Sequence, residues 1–150
     1  MKIFDHFFKD VGIDLGPANS LIYLKSRGIV VNEPSFAAIN TKTNQILAVG
    51  DEAKKMSNRT PGHISVIRPL VSGVISDFEM TQEMLRQFLK RVSQGPISSF
   101  RRGILAIPDN LTEVERKSVE DAVMGAGVFE PYIIDEPLAA ALGARLPVDE

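Results

Sequence analysis

Two carboxylates hold the chemistry that this chain's residue types suggest. The first, Asp14, lies at the end of the apolar run 11–15 and opens the bend Gly16-Pro17-Ala18-Asn19-Ser20. Gly16 and the small Ala18 let backbone N–H groups converge on an anion, and Asn19 and Ser20 add side-chain donors. A carboxylate at the strand end then orders water around a phosphate-bound Mg²⁺. The second, Glu136, stands in Asp135-Glu136-Pro137-Leu138-Ala139-Ala140-Ala141, with a proline in the first turn of a helix. There the helix dipole stabilises the carboxylate, which is placed to orient a water for in-line attack on a phosphate. Each feature also has a plainer reading, the bend as a hairpin corner and Glu136 as a helix cap.

Other chemistries find little support. There is no G-x-x-x-x-G-K-[ST] loop and no G-x-G-x-x-G after a strand; Gly125-Ala126-Gly127 closes a helix instead. His6 and His63 are far apart and read as ordinary surface or loop residues. The chain has no cysteine, which removes disulfides, thiolate nucleophiles and Cys-based zinc sites and fits a reducing cytosol. With 17 basic against 19 acidic side chains the net charge is −2, so no footprint for nucleic acid shows at the level of the whole chain.

The elements that must position these residues follow from hydrophobic periodicity. At 150 residues and 44% hydrophobic content the chain fits one ordinary domain with a real core. No apolar run approaches the roughly 20 residues that span a bilayer. Ile3, Phe4, Phe7 and Phe8 recur on one narrow helical face, either a first helix packed on the core or a helix lying in a membrane interface. Extended runs at 11–15, 20–25 and 28–32 predict a three-stranded meander, and 35–40 with 45–50 a second hairpin. A short helix over 51–57, capped by Asp51, and a strand at 64–69 come next.

The spacing then predicts a helix over 77–92 with Met84, Leu85, Phe88, Leu89 and Val92 on its buried face, and a strand over 102–107. Thr112 and Glu115 form a capping box ahead of a helix whose stripe is Val119, Ala122, Val123 and Ala126. A strand at 132–134 and an Ala-rich helix at 137–146 close the order. Strands alternating with helices imply parallel neighbours, hence an α/β fold with a mixed sheet flanked by helices. Ligands in such sheets sit beyond the carboxyl ends of the strands, where Asp14 and Glu136 fall.

Several ordered runs resemble the MreB family of bacterial actin homologues. They are Gly12-Ile13-Asp14-Leu15-Gly16 with Ala18-Asn19, Gly28-Ile29-Val30-Val31-Asn32-Glu33-Pro34-Ser35, Arg59-Thr60-Pro61-Gly62, Ile67-Arg68-Pro69-Leu70 and Gly73-Val74-Ile75. Val114-Glu115-Arg116, Gly125-Ala126-Gly127 and the stretch from Glu136 to Ala144 continue the likeness over nearly all of the chain. The resemblance implies the first half of an actin-like, ribonuclease H-like ATPase fold. Residues 11–34 and 70–150 would form the large subdomain, 35–69 a small outer one, and 1–10 an amphipathic segment. Asp14, Gly16, Pro17, Ala18, Asn19 and Ser20 would be the first phosphate loop for ATP and Mg²⁺. Glu136 would position the attacking water, and Ile3, Phe4, Phe7 and Phe8 would bind membrane.

The implied activity, at the family's full length, is a slow cytoskeletal ATPase, and this 150-residue chain alone is not expected to hydrolyse ATP. It would polymerise with copies of itself under the cytoplasmic membrane, at its inner face, and organise the cell-wall synthesis machinery that maintains rod shape. Two departures qualify this. Pro17 stands where the family usually has a threonine, and proline lacks both a hydroxyl and an N–H, so one or two phosphate bonds of roughly 1–3 kcal/mol each are missing. The family's chain is also about twice as long, with its second phosphate loop in the later half. A non-enzymatic scaffold of the same family is the rival reading, and a heat-shock chaperone or sugar kinase relative is a more distant one.

Overall fold

The computed structural model describes residues 9–57, 59–93 and 100–148; Ile3, Phe4, Phe7 and Phe8 lie outside them. Strands β1 (Lys9–Leu15), β2 (Asn19–Leu24) and β3 (Gly28–Pro34) form the expected antiparallel meander. In β2 the pleat sends Ser20, Ile22 and Leu24 inward and Tyr23 outward, the period of two that one buried face requires. Strand β9 (Phe100–Ile107) lies parallel to β1 on its other side, and β10 (Val128–Asp135) lies parallel to β9. The five-stranded order is β10-β9-β1-β2-β3. Pro131 is tolerated within β10 because that strand forms the edge of the sheet.

Helices α2 (Phe78–Val92) and α3 (Glu113–Ala126) bury one face of this sheet. Met84, Leu85, Phe88, Leu89 and Val92 of α2 are all inside, as their spacing predicts, and pack with Ile13, Leu15, Ile22, Leu105 and Ile107. Full burial of a side chain such as Phe88 contributes about 1.5–3 kcal/mol. Asp77 caps α2 by accepting the Met80 N–H at 3.0 Å. Thr112 and Glu115 close the predicted capping box on α3, and Gly127 ends that helix at φ 118°, a left-handed position suited to glycine. The opposite sheet face leaves Tyr23, Ile29, Ile104 and Tyr132 exposed.

The second sheet is three-stranded, β5 (Gln45–Val49), β4 (Ala37–Asn40) and β6 (Ile64–Ile67), all antiparallel. Helix α1 (Asp51–Met56) packs on it through Ala53, against Ala38 and Ala48. Asp51 does not cap α1. Gly50 holds the cap position, and a residue from the large sheet, Glu33, takes the Asp51 N–H at 3.2 Å. A hairpin of two two-residue strands, β7 (Leu70–Val71) and β8 (Val74–Ile75), follows, turning through Ser72 and Gly73 at φ 52° and 79°. Helix α4 (Glu136–Gly143) follows β10 directly and begins one residue before the predicted start.

Candidate functional site

Parallel strands end on the same side of a sheet, so β1, β9 and β10 bring their last residues to one edge. The register sets Asp14 beside Ala106, Ile134 beside Ala106, and Asp135 beside Ile107. At these positions and just past them the chain places Asp14, Asp109 and Glu136. Asp14 is half-buried, and burial pushes its carboxyl above the ordinary 3.8. Glu136 is raised from 4.5, first by burial and then by the negative charges of Asp14 and Asp109. None of the three makes an ion pair among the described residues. A like-charged edge of this kind favours a cation or a proton and resists remaining bare.

Beside Asp14 the chain bends through Gly16-Pro17-Ala18-Asn19. A Cβ on Gly16 would lie 2.8 Å from the backbone carbonyl oxygen of Asn19, so the bend closes more tightly than any side chain at that position allows. Pro17, Ala18 and Asn19 are exposed, and the Asn19 amide donates to Asn32 Oδ1 at 2.9 Å. Ser20 is different: it is fully buried, and its hydroxyl lies 2.9 Å from that of Ser35. Ser35 donates its one hydroxyl hydrogen to the carbonyl of Gly16 at 2.7 Å, which leaves Ser20 as the donor between the two hydroxyls. In this arrangement the Ser20 hydroxyl is turned to Ser35 beneath the loop.

The sequence reading brought Asp14 and Glu136 to the same edge, and there they lie. It missed Asp109, although a polar Pro108-Asp109-Asn110 turn after a parallel strand is the signal that finds such residues. It also gave Ser35 no role beyond the outer segment, since nothing local marks a serine that works under a loop 19 positions away. Arg116 of α3 reaches Asp135 at 2.8 Å and neutralises the carboxylate next to Glu136.

Both groups that the sequence suggests can be tested against these residues. The tight bend, with residues 17–19 exposed, fits an anion. For a divalent cation, no group of three or more His, Asp or Glu among the described residues is close enough to hold the ion directly. The acids therefore suit a cation met through water and phosphate oxygens, the manner in which Mg²⁺ is commonly held. Such a cation would supply charge neutralisation at the edge where Asp14, Asp109 and Glu136 repel one another.

Comparison with known proteins agrees with the architecture. The family model described as MreB/Mbl protein matches residues 8–150. The cell shape-determining protein Mbl of Bacillus subtilis is 44% identical over 142 residues, covering 95% of this chain and 43% of that protein. MreB of Escherichia coli is 46% identical over 149 residues, again covering 43% of its length. MreB5 of Spiroplasma citri bound to AMPPNP superposes with TM-score 0.83 at 37% identity, over 93% of this chain and 42% of that one. A MamK double helical filament superposes at TM-score 0.77 with 17% identity, a likeness of fold alone. The fold is actin-like, as the ordered motifs imply, and the chain spans less than half the length of the relatives it matches. By the family model and the identity along nearly its whole length, the chain belongs to the MreB/Mbl family.

Proposed function

We propose that this chain provides one side of an ATP-binding cleft in a cell shape-determining protein of the MreB/Mbl type. The observation that carries this reading is the convergence of the Gly16–Asn19 bend with Asp14, Asp109 and Glu136 at the carboxyl ends of three adjacent strands. The crystal structures of MreB5 bound to ADP and to AMPPNP support a nucleotide as the ligand. The bend would receive phosphate through backbone N–H groups, with Asp14 holding water around a phosphate-bound Mg²⁺. Glu136, its carboxyl raised by burial and then by Asp14 and Asp109, would accept a proton from the attacking water and orient it. The cation's part is to neutralise charge along this edge.

Residues 35–69 would be the small outer subdomain, and 11–34 with 70–150 the large one. Self-association into filaments would follow from membership of the MreB/Mbl family. The filaments would lie in the cytoplasm at the inner face of the cell membrane and direct cell-wall synthesis. Ile3, Phe4, Phe7 and Phe8 would bind the lipid surface. Liposome co-sedimentation that is unchanged by Phe7→Asp with Phe8→Asp would remove the membrane part of this proposal.

The nucleotide part is tested by titrating Mg-AMPPNP into the chain and into a chimera in which it replaces the matching 43% of Escherichia coli MreB. Binding by the chimera, tightened about tenfold by Pro17→Thr through a restored hydroxyl and N–H, is the expected result. No binding by either form, with or without Pro17→Thr, overturns the reading. Pro17 itself favours a second possibility, a scaffold that has given up hydrolysis. In that case ATP turnover by the chimera does not rise with Pro17→Thr.

A further inference from the structure

Ser35 sits where two parts of the molecule meet: its own hydrogen bonds reach one of them, and its neighbour Phe36 reaches the other. Only Ser35 and Phe36 separate β3, the last strand of the meander, from β4, the middle strand of the three-stranded sheet. Ser35 is fully buried and makes three bonds toward the bend that follows β1. Its N–H donates to the carbonyl of Ala18 at 3.0 Å, its hydroxyl donates to the carbonyl of Gly16 at 2.7 Å, and it accepts the hydroxyl of Ser20 at 2.9 Å. Its neighbour Phe36 faces the other way. The carbonyl of Phe36 accepts the Gly50 N–H at 2.9 Å, and its ring packs with Ala38, Ala48 and Ala53 beneath the guanidinium of Arg68.

From this arrangement we infer that Ser35 is a positioning residue that sets the shape of the Gly16–Asn19 bend and ties that shape to the seat of the three-stranded sheet. A hydroxyl has one hydrogen and can accept as well, so Ser35 is the only member of the pair that holds the bend directly. Ser20 serves to satisfy Ser35. Movement of the Gly16 and Ala18 carbonyls, as when an anion draws the opposite faces of those peptides, pulls on Ser35 and through one peptide on Phe36. Calling the bend a phosphate loop rests on the function proposed above; the tie between bend and sheet does not.

The test reads amide hydrogen exchange in the 150-residue chain without nucleotide, so a failure of nucleotide binding leaves it unaffected. Two amides report on the two sides of the joint: residue 35, bonded to Ala18, and Gly50, bonded to Phe36. Phe100, bonded to Gly127, is a reference remote from both. In Ser35→Ala the first two are expected to exchange about tenfold faster together while Phe100 keeps its rate. Ser20→Ala leaves the bond to Gly16 in place and changes them by under about threefold. Should Ser35→Ala not fold, Ser35→Cys keeps the shape with a weaker donor and is read in the same way, at about threefold. Unchanged rates at 35 and 50, a rise at one without the other, or an equal rise at Phe100 overturns the inference. So does a Ser20→Ala effect as large as that of Ser35→Ala.

Discussion

Arg116 Nη2 and Asp135 Oδ1 lie 2.8 Å apart, joining α3 to the last residue of β10 immediately before Glu136. One of two consecutive acids is thereby neutralised and the other is left to feel Asp14 and Asp109. Replacing Arg116 with methionine keeps the stem and removes the charge. The pair is partly exposed, so the stability lost is about 0.5–1 kcal/mol in urea unfolding. The more telling change is electrostatic: with Asp135 uncompensated, the Glu136 carboxyl titrates still higher, as a carboxyl NMR titration would record.

Asp14 carries a pH signature of its own. Its folded carboxyl holds a proton to higher pH than the ordinary 3.8 of the unfolded chain, so the folded state binds more protons across that window. Stability therefore falls as pH rises through the window, and the penalty is complete above it. Asp14→Asn should be more stable than the parent at pH 7, by under about 1 kcal/mol after solvent screening, and equal to it near pH 3. A neutral-pH denaturation midpoint lower than the parent's would contradict this. Acids that cost stability in the bare protein are what a cation site leaves behind.

Thr112 gives a prediction of opposite sign. The Glu115 carboxyl is held below its ordinary 4.5, first by the Thr112 N–H and then by the Thr112 hydroxyl. This support is present above pH 4.5 and is lost as pH falls through the lowered value. Thr112→Ala should lower the thermal midpoint by about 2–4 °C at neutral pH, and the gap should narrow on acidification.

Gly73 and Gly28 separate two costs of placing a side chain at positive φ. Both are left-handed, at 79° and 74°, but a Cβ on Gly73 would lie 2.4 Å from Pro108 Cγ while one on Gly28 meets nothing within 4 Å. Gly28→Ala should cost about 1 kcal/mol, and Gly73→Ala about 2–3 kcal/mol because Pro108 must also shift. Pro108 precedes Asp109, so the second variant should also move the Glu136 titration, and the first should not.

The sequence made the fold legible wherever a pattern repeats over a turn or more. The stripe of α2, the capping box of α3, and the alternation in β2 are each decided by neighbours a few positions away. The β7–β8 hairpin escaped because two-residue strands have no period to read, and its turn relies on Ser72 in a conformation that serine seldom adopts. Strand β10 reads short at its start because Phe129, Glu130 and Pro131 lie on a sheet edge without a hydrophobic alternation. At the site, Asp14 and Glu136 stood out as acids at element ends. Ser20 stood out as a hydroxyl beside a glycine-containing bend, while its bond to Ser35 beneath that bend has no local signal in the sequence.

Asp10 of β1 and Arg102 of β9 are joined by two hydrogen bonds, 3.0 and 2.6 Å, across 92 residues of sequence. Strand β1 is a central one in the sheet, and its parallel neighbour β9 is made much later. At roughly 5–20 residues per second of synthesis, β1 waits on the order of ten seconds with one row of backbone groups unpaired while its meander partners are already in place. Slow, long-range closure of this kind exposes an adhesive edge in the newborn chain. For this fold the hazardous interval is the one before β9 leaves the ribosome, when a holding chaperone has most to protect.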